Sequence, residues 1–228
     1  MPTRRKFIAL LCSLPIVARA GLLDAFSSKD ASAGLKQALE QGANQAVAML
    51  GAKDGFFGSE RFRLPLPEGL KKVESLLRTF GQGEALDELH LAINRAAESA
   101  VSEAKPLLVG AVKSMSVQDA KGILTGGEDS VTQFFRGKTF DALTQKFLPV
   151  VSKVTSGQKL AERYDRVAKQ ASKFGLMSAE DAKLNNFVTR KALDALYLRI
   201  GDEEKAIREN PAEAVGSIAK KVFGALGK

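Results

Sequence analysis

Between Glu84 and Ala104 the chain repeats apolar residues at the period of an α-helix. At 3.6 residues per turn, Leu86, Leu89, Ile93, Ala96, Ala97, Ala100, Val101 and Ala104 share one wide face, and Leu91 and Ala92 add apolar surface outside it. Most of these side chains are small, so other helices can approach closely on more than one side. The pattern predicts a central helix of a bundle. Along its edge run His90, Asn94 and Glu98 at i, i+4 and i+8, with Arg95 three residues before Glu98. Buried polar groups have to be hydrogen-bonded. The seam is therefore either a structural network, the commoner meaning of such a cluster, or a site.

The helical period recurs along the chain. Leu35, Ala38, Leu39, Ala43, Ala46, Val47 and Leu50 precede Gly51, and Leu70, Val73, Leu76, Leu77 and Phe80 follow Pro67. Pro106 opens a short apolar helix to Met115, and Ser116 with Asp119 makes a cap-like start for the next, ended by Gly126-Gly127. Asp129 or Ser130 can cap a helix carrying Val131, Phe134 and Phe135. Thr139 can cap another carrying Phe140, Leu143, Phe147 and Leu148, which Pro149 ends or kinks. Further helices are expected over Gln158–Phe174, from Ser178 or Asp181 to Ile200 with a break or bend at Gly201, over Glu203–Arg208, and from Asn210-Pro211 to the end. No stretch alternates enough for a β-sheet. The expectation is an all-α fold, a single compact multi-helix bundle of about nine or ten helices.

Lys53–Pro67 breaks the rule. Gly55-Phe56-Phe57-Gly58 precedes a segment in which Phe62, Leu64 and Leu66 alternate with Arg61, Arg63 and Pro65. Its prolines exclude a central strand. An extended Phe/Pro-rich loop over the helices is expected. It is either a cover for the core or a candidate ligand or partner loop acting through Phe56, Phe57 and Phe62.

The N-terminus has the layout of an export signal: a basic head at Arg4-Arg5-Lys6, an apolar run from Phe7 to Ala18 interrupted by Pro15, and Ala18-Arg19-Ala20 as the cleavage point. The run is too short to span a bilayer. Thr3-Arg4-Arg5-Lys6-Phe7-Ile8 fits a twin-arginine signal and an ordinary secretion signal equally. The expected layout is a signal peptide over 1–20, a flexible lead-in over 21–33 and one helical domain over 34–228, with the mature protein periplasmic, free or at the membrane surface, and without a transmembrane helix. Cys12, the only cysteine, leaves with the signal, and with it any disulfide or thiol chemistry. Four of the 34 basic residues leave too, so 30 face 26 acidic residues and the net charge is +4. No nucleic-acid partner is expected at that charge.

Gly34-Leu35-Lys36-Gln37-Ala38-Leu39, Asp54-Gly55-Phe56, Leu64-Pro65-Leu66-Pro67, Asn94-Arg95-Ala96-Ala97-Glu98, Asp119-Ala120-Lys121-Gly122-Ile123-Leu124, Phe147-Leu148-Pro149 and Ala192-Leu193-Asp194 are separated along the chain. Together they resemble domain-of-unknown-function family 4197, a group of exported Gram-negative bacterial proteins. The resemblance covers nearly all of the mature chain. It implies an exported, mostly helical protein, supplies no activity, and places Asn94, Arg95 and Glu98 inside a family motif.

One histidine cannot build a histidine-rich metal site, and no Gly-x-Ser-x-Gly elbow offers it a serine. Glu98, Asp119, Asp194 and Glu204 fall on different expected helices, but Glu-x-x-His pairs are missing and Asp87-x-x-His90 is the nearest approach. Neither metal nor cofactor is expected. Two classes follow. The first is a non-catalytic binding module for a partner protein or apolar ligand of the cell envelope. The second is an enzyme using Asn94, Arg95 and Glu98 with carboxylates of neighbouring helices, which requires those groups to converge in an accessible pocket.

Overall fold

The computed structural model describes residues 28–72, 74–127, 129–156, 161–162, 164–165 and 183–210. The export signal, most of the lead-in, nearly all of the Gln158–Phe174 helix, the Ser178/Asp181 start and the helix expected after Asn210 lie outside these residues.

All of the regular secondary structure in the described chain is helical, with no strand among its residues. The helices are α1 Ser28–Leu50, α2 Glu68–Lys71, α3 Glu74–Thr79, α4 Gly83–Ser102, α5 Lys105–Lys113, α6 Val117–Thr125, α7 Ser130–Thr155 and α8 Leu184–Glu209. The all-α expectation holds. The expected nine or ten helices do not: among the described residues there are seven of more than one turn, and α2 is a single turn. Residues read as helix starts, ends, kinks or breaks lie inside longer helices. Thr139 lies inside α7, where its hydroxyl donates back to Phe135 O at 2.7 Å and pairs with Tyr197 Oη at 2.9 Å. Pro149 also lies inside α7. It removes one intrahelical bond, but Val151 and Thr155 beyond it are buried, so the last turn is held by its neighbours. Gly201 sits within α8 because the helices touch there; a Cβ would come 2.8 Å from Thr132 Oγ1 of α7. At the other end, α1 starts at Ser28, earlier than the expected Gly34, and Ala31 and Ser32 are already buried.

α4 is the hub. It packs against α7, α8, α1 and α3, while α7 and α8 form the most extensive helix pair. All eight residues expected on the α4 apolar face have no exposed surface. Their small size lets α7 and α8 close on it from two sides.

α6 begins as its sequence dictates. Ser116 Oγ accepts the Asp119 N–H at 3.0 Å, and Asp119 Oδ2 accepts from Ser116 N–H at 3.0 Å and from its hydroxyl at 2.8 Å. These bonds, the backbone one first, hold the Asp119 carboxyl below its ordinary value of 3.8. A carboxyl depressed in the folded state stabilises the fold above the unfolded value and loses that contribution as pH falls through the folded value. The melting difference between wild type and Asp119→Ala is therefore expected to be clear at neutral pH and to shrink below pH 3.8. A gap that stays constant through acid titration would contradict this assignment of the cap.

Candidate functional site

The polar seam of α4 faces the backbone of the segment between α1 and α2. His90 Nε2 lies 2.8 Å from Leu64 O. Asn94 Oδ1 accepts the Leu64 N–H at 2.8 Å, and Asn94 Nδ2 donates to Leu64 O at 3.1 Å and to His90 O at 2.8 Å. Asn94 thus engages both backbone polar groups of Leu64, as a neighbouring strand would do in part. One turn on, Glu98 Oε1 accepts the N–H groups of Phe56 and Phe57, each at 3.2 Å. Another turn on, Ser102 Oγ donates to Glu98 O at 3.0 Å and lies 3.3 Å from Gly51 O. The seam therefore continues one step past the three residues read from sequence. Successive positions 90, 94, 98 and 102 meet residues 64, 64, 56–57 and 51, so the segment runs antiparallel to the helix.

Arg95 closes the seam on its outer side. Nη1 donates to Glu98 Oε2 and Nη2 to Asp54 Oδ1, both at 2.7 Å. The two carboxylates, Glu98 first, raise the guanidinium above its ordinary value. Asp54 adopts a left-handed backbone, φ 67°. That is uncommon for a residue with a Cβ and easiest for Asp, Asn or Gly. Gly55 follows where a Cβ would overlap Met49 O and lie 2.6 Å from Leu50 O. The tight turn needs glycine for close approach, and Arg95 fixes the residue before it.

The period-two reading of the loop matches its burial: Leu64 and Leu66 are buried, Phe62 is half-buried, and Arg61, Arg63 and Pro65 face solvent. Its partner is the side-chain ladder of α4 rather than another strand. The three candidate phenylalanines part company. Phe56 has no exposed surface and belongs to the core. Phe57 is half-buried, with its ring edge-on to His90 at 5.8 Å and Arg63 over its face at 5.1 Å, while Arg63 Nε donates to Phe57 O at 2.6 Å. Phe62 packs on the core under Arg61, whose guanidinium reaches Asp202 of α8 at 2.8 Å.

Beside Phe57 opens a groove of about 630 Å³ between the loop, α3 and the first half of α4. Phe57 and Leu91 supply its apolar surface, with Glu84, Asp87 and Glu88 on its walls. Arg78 of α3 bridges Glu74 at 2.9 Å and Asp87 at 2.6 Å, which pins α3 onto α4 and holds the Asp87 carboxyl below its ordinary value. Leu91 is 38 % exposed, so the extra apolar surface read on α4 faces the groove and not a helix. The sequence reading missed Ser102, for which the i+4 spacing was a signal, and Arg63, which had none.

The carboxylates proposed to join the seam stand apart from it. Asp194 pairs with Arg136 at 2.7 Å, Asp119 is held by its cap and lies 3.7 Å from Lys138, and Glu204 is buried on α8 beside Ile200 and Ile207. Among the described residues no group of three His, Cys, Asp or Glu side chains is placed to hold a metal ion, and no helix is long and apolar enough to cross a membrane. No curated protein and no solved structure matches the chain. A family model does, over residues 25–224, a span that includes every helix described above, the loop and the seam. The chain belongs to the family described as Protein of unknown function (DUF4197).

Proposed function

We propose that the protein is an exported, non-catalytic binding module of the cell envelope, and that it engages a partner protein through the groove beside Phe57. The export reading rests on the basic head, short apolar run and Ala18-Arg19-Ala20 of the N-terminus. The observation that carries the binding reading is how the seam is used. Both oxygens of Glu98 and both polar atoms of Asn94 are bonded to backbone or to Arg95. Groups so occupied do not face a substrate, so an enzyme built on them has little geometric support. They hold the loop down on α4 and leave Phe57 and Leu91 at the surface.

A single exposed apolar side chain needs no explanation, but Phe57 and Leu91 share one open groove whose walls carry Glu84, Asp87 and Glu88, an apolar centre with a polar rim that suits an interaction surface. Leu91→Glu puts a charge in the middle of it. The variant is expected to melt within about 0.5 kcal/mol of wild type and to lose any envelope protein that cross-links to wild type in its native compartment. Leu198→Glu, at an exposed position on α8, is the control and should keep that partner. The reading fails if Leu91→Glu captures the same partner as wild type, or if wild type captures none.

A further inference from the structure

The groove beside Phe57 is charged opposite to the chain that forms it. The chain as a whole is basic, with 34 Lys and Arg against 26 Asp and Glu. The groove is lined by the acidic Glu84, Asp87 and Glu88 and by a single cation, Arg78. That cation is committed within the fold, 2.9 Å from Glu74 and 2.6 Å from Asp87. A second arginine, Arg63, stands over the Phe57 ring but donates to Phe57 O and does not line the groove. Arg78 thus answers Asp87 and leaves Glu84 and Glu88. Both are exposed, and among the described residues neither takes part in an ion pair. They stand one turn apart on α4, where like charges repel and weaken a helix. Glu84 lies in the first turn, and the positive end of the helix dipole offsets part of its cost. Glu88, a turn further in, lies beyond that reach.

We infer that the occupant of this groove is a basic peptide segment of the partner protein, which seats an apolar side chain against Phe57 and Leu91 and sets Lys or Arg against Glu84 and Glu88. The inference rests on the groove being the contact surface and names the chemistry of what it contacts. Leu91 follows Glu88 by three positions and Glu84 by seven, so the two carboxylates and the apolar side chain fall within about 10 Å along one strip of helix. A segment with an apolar residue flanked by basic ones meets all three at once. Covering the carboxylates with an uncharged segment would take water from them and give nothing in return. An acidic segment, or the anionic surface of a membrane, would be repelled by them. A basic segment relieves the repulsion between Glu84 and Glu88, and it is steered to this groove and away from the basic remainder of the chain.

The probe is the capped hexapeptide Lys-Lys-Leu-Phe-Lys-Lys, with Glu-Glu-Leu-Phe-Glu-Glu and Lys-Lys-Ser-Ser-Lys-Lys as controls. Titrated into the ¹⁵N-labelled protein at low salt, the probe is expected to shift the amides of Phe57 and of Glu84–Leu91. It should bind about tenfold more tightly than either control. The double variant Glu84→Gln and Glu88→Gln keeps the size of both side chains. It should melt close to wild type, weaken the probe about tenfold and remove most of the salt dependence of its binding. Cross-linking in the native compartment separates this inference from the reading beneath it. Leu91→Glu and the double variant Glu84→Lys and Glu88→Lys should each lose the partner. If Leu91→Glu loses it and the lysine variant keeps it, the groove is the contact surface and its partner is not basic. If Leu91→Glu keeps it, the groove reading fails and this inference fails with it. The inference is also overturned if the probe shifts none of these amides at millimolar concentration, or if either control peptide binds as tightly.

Discussion

Phe56→Ala is expected to lower the unfolding free energy by about 3–5 kcal/mol, the range for truncating a fully buried phenylalanine. Phe56 lies in a loop, where such a loss is unusual. Yet it has no exposed surface and ranks among the largest fully buried side chains, with Tyr197, Phe135 and Phe147. The cost depends on whether the site can collapse around the missing ring. Here the backbone on both sides is fixed. Gly55 is pressed against the last turn of α1, and the Phe56 and Phe57 amides are held by Glu98. A cavity should therefore persist, which places the cost at the upper end of the range. Phe62→Ala is the comparison. Phe62 is only half-buried, and its loss should be clearly smaller. Urea unfolding followed by far-ultraviolet circular dichroism measures both. A loss under about 1.5 kcal/mol for Phe56→Ala, in the range of conservative swaps, would mean that the loop is not docked in solution.

The buried faces of the helices were legible because a 3.6-residue period is local. Every residue assigned to the inner face of α4, and Leu35, Ala38, Leu39, Ala43, Ala46, Val47 and Leu50 of α1, are buried. The inward set Phe62, Leu64 and Leu66 was legible for the same reason, at a period of two. Helix ends were less legible, because start and stop signals are weak preferences that packing overrides. Thr139 serves Tyr197, Gly201 makes room for Thr132, and Pro149 is carried by the buried turn beyond it. Thr139 and Gly201 each owe their place to a residue on another helix, which no local window contains.

The seam shows the same divide. Spacing alone put His90, Asn94 and Glu98 in line and Arg95 within reach of Glu98. It could not say what crosses the line, because the partners lie 26 to 42 residues away and meet α4 only after the chain has reversed. It also could not separate Phe56 from Phe57. The two are adjacent in sequence and alike in chemistry, but a tight turn sends one ring into the core and leaves the other beside His90.

Glu98→Ala tests whether the seam is the clasp of this loop. Its side chain is buried, and it removes three hydrogen bonds: those from the Phe56 and Phe57 amides and that from Arg95. Arg95 is 29 % exposed and keeps Asp54, so it can turn toward water at small cost. The Phe56 amide cannot, since it lies over a ring with no exposed surface. Stranding that donor is expected to cost about 1–3 kcal/mol. Glu98→Gln keeps an oxygen for the two amides while losing the charge that Arg95 pairs with, so it should cost less than the alanine variant. Native-state hydrogen exchange locates the effect. In Glu98→Ala the Phe56 and Phe57 amides should lose protection first, and Leu64, still held by Asn94, should keep more of it. The interior of α7 and α8 should keep its order of exchange, because neither helix takes a bond from Glu98. If Glu98→Ala instead melts like wild type while partner capture is lost, Glu98 faces the partner and not the loop. A melting loss confined to the 51–66 segment, with capture falling in step, makes the loop's seating on α4 the property that binding requires.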